Sequence, residues 1–163
     1  MKVLLISANT ETVNMPIIPS GLVSVAAAAC AAGHTVKLLD LLAATDPRQT
    51  VVEALEDFRP EVIGVSVRNI DDQNMKHPRF LLSQVKDLIS DCRGFSGAPI
   101  VLGGAGYSIF PESALAYLQA DMGIRGEGEP AFVMLLARLE RGADLASVPG
   151  LYLVGRPAPR SSR

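Results

Sequence analysis

The sequence predicts an α/β domain in which helices cover both faces of a mainly parallel β-sheet. Three observations support this fold class. Short apolar runs alternate five times with segments of helical character, and each of the first two predicted helices is followed by a connection of only two residues. The 163 residues are also enough for one domain, and 48% hydrophobic with 20% charged residues is ordinary globular composition. Disorder is therefore excluded for most of the chain.

The first half of the chain begins with an apolar run at residues 2–7, typical of a strand buried on both faces. Residues 20–32 are predicted to form a helix that Ser20 caps and Gly33 ends, and its small side chains favour close packing on a sheet. A second strand follows at residues 35–40. These elements make the first strand–helix–strand unit.

The remaining elements repeat this alternation. Helices are predicted at residues 47–58, 78–92, 111–117 and 129–141, and strands at residues 61–67, 98–102 and 121–125. Residues 151–154 fit a last edge strand, and residues 156–163 are typical of a linker or a frayed end.

Five strand–helix units of this length favour the flavodoxin-like (Rossmann-type) three-layer sandwich, with the parallel strand order 2-1-3-4-5. In that topology ligands bind beyond the carboxyl ends of the strands. The loops at that edge are residues 8–19, 68–77, 103–110 and 126–129. The connectors at the opposite edge are short, which agrees with this assignment.

Two glycine-rich segments distinguish the ligand-binding edge. The fourth strand ends in Gly103-Gly104-Ala105-Gly106-Tyr107, where the absence of side chains would let the backbone approach a bulky ligand. The fifth strand leads into Gly126-Glu127-Gly128-Glu129. The first loop is also unusually long and contains two prolines, and loops of about a dozen residues are usually functional.

Several function classes are excluded. The G-x-G-x-x-A match at residues 126–131 is not a dinucleotide site, because it does not follow the first strand and because Glu127 and Glu129 would repel a pyrophosphate. A phosphoacceptor receiver domain would need an acidic pair where Ser7-Ala8 stands. There is no P-loop and no G-x-S-x-G motif.

The net charge and the cysteine content limit the classes of partner and of metal site that the chain can have. A formal net charge of −2 gives no basic field for nucleic acid, and no apolar segment is long enough to span a membrane. Cys30 and Cys92 cannot form a disulfide framework or a metal site by themselves, and both are interpreted as core packing. We therefore expect a cytoplasmic protein.

An ordered set of motifs resembles the N-terminal cobalamin-binding domain of cobalamin-dependent radical SAM enzymes. The set covers nearly the whole chain and comprises Asn9, Pro16-x-x-Pro19-x-Gly21-Leu22, Ala32-Gly33-His34-Thr35-Val36, Ile63-Gly64-Val65-Ser66, Pro99-Ile100-Val101-Leu102-Gly103-Gly104 and Ile124-Arg125-Gly126-Glu127-Gly128-Glu129. The resemblance implies that Ser66 meets the dimethylbenzimidazole tail of cobalamin and that Gly103-Gly104 make room for it beside the sheet.

The resemblance also implies how the cobalt is held. The D-x-H-x-x-G motif that supplies a histidine ligand in other cobalamin domains is missing after the first strand. His34 should lie at the far edge of the sheet, and His77 is expected to be a solvated loop residue. We therefore expect base-off cobalamin with no protein histidine on the metal.

The residues predicted to bind the cofactor follow the first, third, fourth and fifth strands. They are Asn9, Thr10, Ser66, Val67, Arg68, Asn69, Gly103, Gly104, Ala105, Gly106, Tyr107, Gly126, Glu127 and Gly128. For Tyr107, stacking on the corrin edge and closing the glycine turn remain alternatives. Arg68 and Asn69 are cofactor contacts or pair with Asp71 or Asp72, and Glu127 and Glu129 accept from corrin amides or cap backbone. A bulky residue at Gly104 is expected to block the cleft that receives the dimethylbenzimidazole tail without disturbing the fold.

The chain by itself is not expected to catalyse a reaction. Two isolated cysteines cannot supply the CxxxCxxC set of a radical SAM cluster. The resemblance implies that residues 1–155 are the cobalamin domain and that residues 156–163 lead to a C-terminal radical SAM domain in the same polypeptide. That domain would use S-adenosylmethionine and a 4Fe–4S cluster for methyl transfer or a related radical transformation. The alternative is a stand-alone flavodoxin-like carrier or interaction module.

Overall fold

The computed structural model describes residues 1–10, 18–71 and 80–155. Its strands are β1 (Lys2–Ser7), β2 (Thr35–Asp40), β3 (Val62–Ser66), β4 (Ile100–Gly103), β5 (Met122–Ile124) and β6 (Leu151–Leu153). Its α-helices are α1 (Ser20–Ala31), α2 (Pro47–Phe58), α3 (Leu82–Phe95), α4 (Ala105–Ile109), α5 (Pro111–Leu118) and α6 (Gly128–Arg141), and a 3₁₀ turn covers Leu41–Ala43.

The six strands form one sheet in the order β2-β1-β3-β4-β5-β6. β1 to β5 are parallel, and β6 pairs antiparallel with β5 at the edge. The predicted order 2-1-3-4-5 and the additional edge strand are confirmed.

Helices cover both faces of the sheet, which is why the central strands are apolar on both sides. On one face, Val3 and Leu5 pack with Leu22 of α1 and Phe132 of α6. On the other face, the neighbouring strand residues pack against α2, α3 and α5. This three-layer arrangement leaves the carboxyl ends of the strands at one edge, beside the first turns of α1 and α6.

The amino ends of α1 and α2 differ in their capping. Asp46 caps α2 by accepting a 3.0 Å hydrogen bond from the amide of Gln49. The predicted cap of α1 is wrong: Ser20 is its first helical residue, and Pro19 precedes it without a side-chain cap. Ser20 carries the hydroxyl that a cap would use, but the helix begins one residue earlier than that role requires.

Two features of the helices differ from expectation. Cys92 is buried as predicted, whereas Cys30 is exposed on α1 and is not part of the core. The helix α4 was not predicted, because its sequence includes Gly106 and follows two further glycines. It forms because the amide of Gly106 donates a 3.0 Å hydrogen bond to the carbonyl of Val67 and because Tyr107 is fully buried.

Polar contacts connect neighbouring elements at the edge opposite the carboxyl ends of the strands. Asp121 accepts a 2.7 Å hydrogen bond from the amide of Ile100 and pairs with Arg93 at 3.0 Å. His34 also lies at this edge, with its Nδ1 3.3 Å from the amino nitrogen of Met1. That amino group is the main cause of the lowered pKa of Glu140. Among the described residues, none of the helices has the length and hydropathy needed to cross a bilayer.

Candidate functional site

A cleft of about 770 Å³ opens at the carboxyl edge of the sheet. Its floor is the sheet face that α1 and α6 cover, and its sides include the first two turns of both helices through Leu22, Val25 and Phe132. Helices of a parallel α/β fold begin where the strands end, so the two helix N-termini flank the opening. The cleft therefore occupies the edge at which the fold class predicts a ligand.

The strand register arranges the floor of the cleft in two layers. Leu5, Gly64 and Val101 are aligned across β1, β3 and β4 and form an apolar inner layer. Two residues further along, Ser7, Ser66 and Gly103 are aligned in the same way and form the outer layer. Residues i and i+2 of a strand share a face, so both layers point into the cleft. The cavity is apolar inside and polar at its mouth.

Gly103 and Gly104 differ in the space around them and in backbone conformation. At Gly103, a Cβ atom would meet no atom of the described residues within 4 Å, so the position is open towards the cleft. At Gly104, φ is +98° and a Cβ would lie 2.6 Å from the carbonyl oxygen of Val67. The expectation that a bulky residue at Gly104 leaves the fold undisturbed is therefore wrong, because the backbone itself requires glycine there.

The second wall comes from the segment after β5. Gly126 has φ +89°, and a Cβ at Gly128 would lie 3.0 Å from Cγ2 of Val25 on α1. Glu127 occupies the N-cap position of α6 in an extended conformation, and Glu129 lies in the first helical turn. Within the described part of the chain, no side-chain cap hydrogen bond forms at this helix. The carboxylate of Glu129 is placed where the helix dipole favours it.

Nine of the predicted binding residues line the cleft. They are Asn9, Ser66, Arg68, Gly103, Gly104, Ala105, Gly126, Glu127 and Gly128. Their role as cofactor ligands stays a prediction, but the fold brings residues from four separate loops to one cavity, as the topology requires.

The other five predicted residues do not line the cleft. Thr10 donates a 3.0 Å hydrogen bond to the side chain of Gln84. The carbonyl of Val67 accepts from Gly106, and Asn69 lies directly beneath that glycine. Val67 also lies against Gly104, which does line the cleft. The neighbouring Asp72 and His77 lie outside the described residues.

Tyr107 lies on the opposite face of the sheet from the cleft. Its side chain is fully buried in the core cluster that includes α3 and α5, and its ring occupies the space that a side chain at Gly123 would take. Burial raises the pKa of its phenol, whose oxygen has no hydrogen-bond partner among the described residues. Of the two interpretations of Tyr107, stacking on a ligand in the cleft is excluded by this position.

Sequence reasoning missed several lining residues, notably Ser7, Gly21 and Ser108. The two-residue period of β1 could have found Ser7, since Leu5 and Ser7 share a face. Ser108 carried no signal, because α4 was not predicted. Among the described residues that line the cleft, there is no histidine.

The family of the chain follows from its sequence. A family model described as "B12 binding domain" matches residues 6–136. The chain belongs to the B12-binding domain family. This match runs from the end of β1 through β5 into α6, and it therefore includes every residue of the cleft floor except Leu5.

This B12-binding domain is similar to parts of longer enzymes. It is 33% identical over 148 residues to tryptophan 2-C-methyltransferase of Streptomyces laurentii, an alignment that covers 89% of this chain and 25% of that protein. It is 28% identical over 144 residues to hopanoid C-3 methylase of Methylococcus capsulatus, covering 86% of this chain and 26% of the relative. The chain thus spans about a quarter of the length of these curated relatives.

A solved structure shows the same relationship in three dimensions. The radical S-adenosylmethionine methyltransferase TsrM from Kitasatospora setae, solved with cobalamin and a [4Fe–4S] cluster bound, superposes with a TM-score of 0.88 at 31% identity. The superposition covers 96% of this chain and 30% of that chain. The similarity therefore extends over nearly all of the B12-binding domain.

Proposed function

We propose that this B12-binding domain holds cobalamin with the nucleotide tail in the cleft and the corrin ring over the carboxyl ends of the strands. The observation that carries the proposal is the two-layer floor. An apolar inner layer at Leu5, Gly64 and Val101 suits an aromatic base, and the polar outer layer suits the sugar, phosphate and amide groups.

The cleft offers open space for the tail and polar groups for the corrin amides. Gly103 leaves open space above β4, where the tail would pass, and Ser66 stands beside it in register. Asn9, Arg68 and Glu127 surround the mouth with groups that can donate to or accept from corrin amides. The cobalt centre would supply the methyl-transfer chemistry, while this chain binds and orients it.

We further propose that cobalamin binds base-off and without a histidine ligand. His34 lies at the opposite edge of the sheet, beside the amino group of Met1, and so it is remote from the cleft. His77 lies outside the described residues, and the expectation that its side chain is solvated stays a prediction. A weak lower ligand would favour reduction of the cobalt, since axial donation stabilises its oxidised states.

In the whole protein, we propose that residues 1–155 act as the cofactor domain of a radical SAM enzyme. The support is the similarity to two methyl-transferring enzymes and to a methyltransferase structure that contains cobalamin and a [4Fe–4S] cluster. Residues 156–163 would lead to the radical SAM domain of the same polypeptide, which would bind S-adenosylmethionine and the cluster. Methyl transfer or a related radical reaction is the proposed activity.

Binding can be tested with hydroxocobalamin and with its analogue cobinamide, which lacks the nucleotide tail. The 163-residue chain should bind hydroxocobalamin at one per chain, with a base-off visible spectrum that is unchanged in the His34→Ala variant. Cobinamide should bind at least about tenfold more weakly, because the apolar layer then buries no base. Equal affinities would contradict tail insertion, and no binding of either compound would contradict the proposed function.

A further inference from the structure

Ser108 links the two glycine-rich segments that line the cleft. Its hydroxyl donates a 2.9 Å hydrogen bond to the carbonyl oxygen of Gly104 and accepts a 3.2 Å hydrogen bond from the amide of Gly126. Ser108 and both glycines line the cavity. One side chain therefore joins the loop after β4 to the loop after β5 at the cleft wall.

The sheet itself does not hold these two loops together. The register between β4 and β5 contains the pairs Val101–Met122 and Leu102–Gly123 and ends there. Gly126 follows beyond the end of this ladder, and its φ of +89° belongs to a region that glycine enters freely. The separation of the loops is thus set by contacts other than strand pairing.

Several contacts hold α4, the helix that carries Ser108, in place. The amide of Gly106, in the same helix, is bound to the carbonyl of Val67, and Tyr107 is buried against Gly123. The backbone amide of Ser108 also donates to Gly104 at 3.1 Å. On the other side, the amide of Arg125 donates a 2.9 Å hydrogen bond to the carbonyl of Gly150, and the next amide, that of Gly126, donates to Ser108. The hydroxyl of Ser108 therefore fixes the Gly126 amide relative to α4.

We propose that Ser108 is a positioning residue that sets the width of the cleft for the cofactor, an inference that rests on the proposed function. A segment held in its binding conformation before the ligand arrives loses less conformational entropy on binding. Gly126 is exposed, so its amide would be solvated if the hydroxyl were removed. Loss of the hydroxyl should therefore weaken cofactor binding without an equal loss of stability.

The test compares Ser108→Ala with two matched variants. Ser108→Thr keeps the hydroxyl, and Ser113→Ala makes the same change on the exposed surface of α5, away from the cleft. Equilibrium dialysis measures hydroxocobalamin affinity, NMR measures hydrogen exchange of the Gly126 amide, and thermal unfolding reports stability. Ser108→Ala should bind roughly tenfold more weakly, the free-energy equivalent of one hydrogen bond. Its Gly126 amide should exchange faster at a nearly unchanged Tm.

The outcomes separate this inference from the proposed function. Ser108→Thr should restore most of the affinity, and Ser113→Ala should behave as the wild type. Wild-type affinity in Ser108→Ala would overturn the positioning role and leave the proposed function standing. A Tm loss matching the affinity loss would also overturn it, by showing a purely structural role. A wild-type chain that binds no hydroxocobalamin would overturn both.

Discussion

Replacing Gly103 with leucine should close the cleft while leaving the fold intact. Gly103 ends β4 and is not in the positive-φ region, and a Cβ atom added to it would meet no atom of the described residues within 4 Å. A leucine there would extend into the open space of the 770 Å³ cavity between the two floor layers and the helices. The free energy of unfolding should change by less than about 1 kcal/mol, since the backbone conformation is one that leucine can adopt.

The binding cost of this substitution follows from overpacking. Inserting side-chain volume into a filled site costs about 1–3 kcal/mol, which corresponds to an affinity for hydroxocobalamin roughly 5- to 150-fold weaker. The matched control is Gly97→Leu, where a Cβ also meets no described atom within 4 Å but the position lies at the opposite edge of the sheet. Spectral titration measures the affinity, and urea unfolding measures stability. Equal affinity of Gly103→Leu and wild type would refute the placement of the cofactor in this cleft.

Further predictions concern buried and surface polar groups. Burial raises the pKa of Cys92 to about 12, so a thiol-reactive disulfide at about pH 8 should modify the exposed Cys30 quickly and Cys92 only after unfolding; equal rates would contradict this. The folded pKa of Cys92 exceeds the unfolded value of about 8.5, so ionisation of the thiol favours the unfolded chain. The free energy of unfolding should therefore be unaffected by this thiol below about pH 8.5 and should fall as the pH rises towards 12. Tyr107→Phe should raise the free energy of unfolding by about 1 kcal/mol in urea titrations, since its hydroxyl is buried without a described partner; destabilisation would reveal one. Asp121→Ala should lower it by about 1–3 kcal/mol by leaving the amide of Ile100 unpaired, and an unchanged midpoint would show that this bond contributes nothing.

The sheet could be predicted because its strands are buried on both faces and are separated by helices of ordinary length. Runs such as residues 2–7 have no polar alternation, and this pattern together with the crossovers leaves few alternatives to a parallel sheet. The position of the cleft followed from the topology alone, since ligands bind where parallel strands end. Nine binding candidates reached the cavity for that reason.

The rest depended on contacts between segments that are distant in sequence. α4 contradicts its local glycine content and exists because Val67 accepts from Gly106 and because Gly123 leaves space for Tyr107. The same contacts turn Tyr107 away from the cleft and bring Ser108 to it. Cys30 was misplaced because α1 is apolar almost throughout, so its sequence does not show which side faces the sheet.

NMR mapping on the isotopically labelled chain tests cobalamin binding in this cleft most directly. Hydroxocobalamin is diamagnetic, so the resonances of residues close to it stay observable. Bound cofactor should shift the amide resonances of four residues that line the cleft from three separate loops, namely Ser66, Gly103, Gly126 and Gly128. The amide of Cys92, buried in α3 on the other face of the sheet, should not move. Shifts grouped around any other surface, or no shifts at saturating cofactor, would contradict cobalamin binding in this cleft.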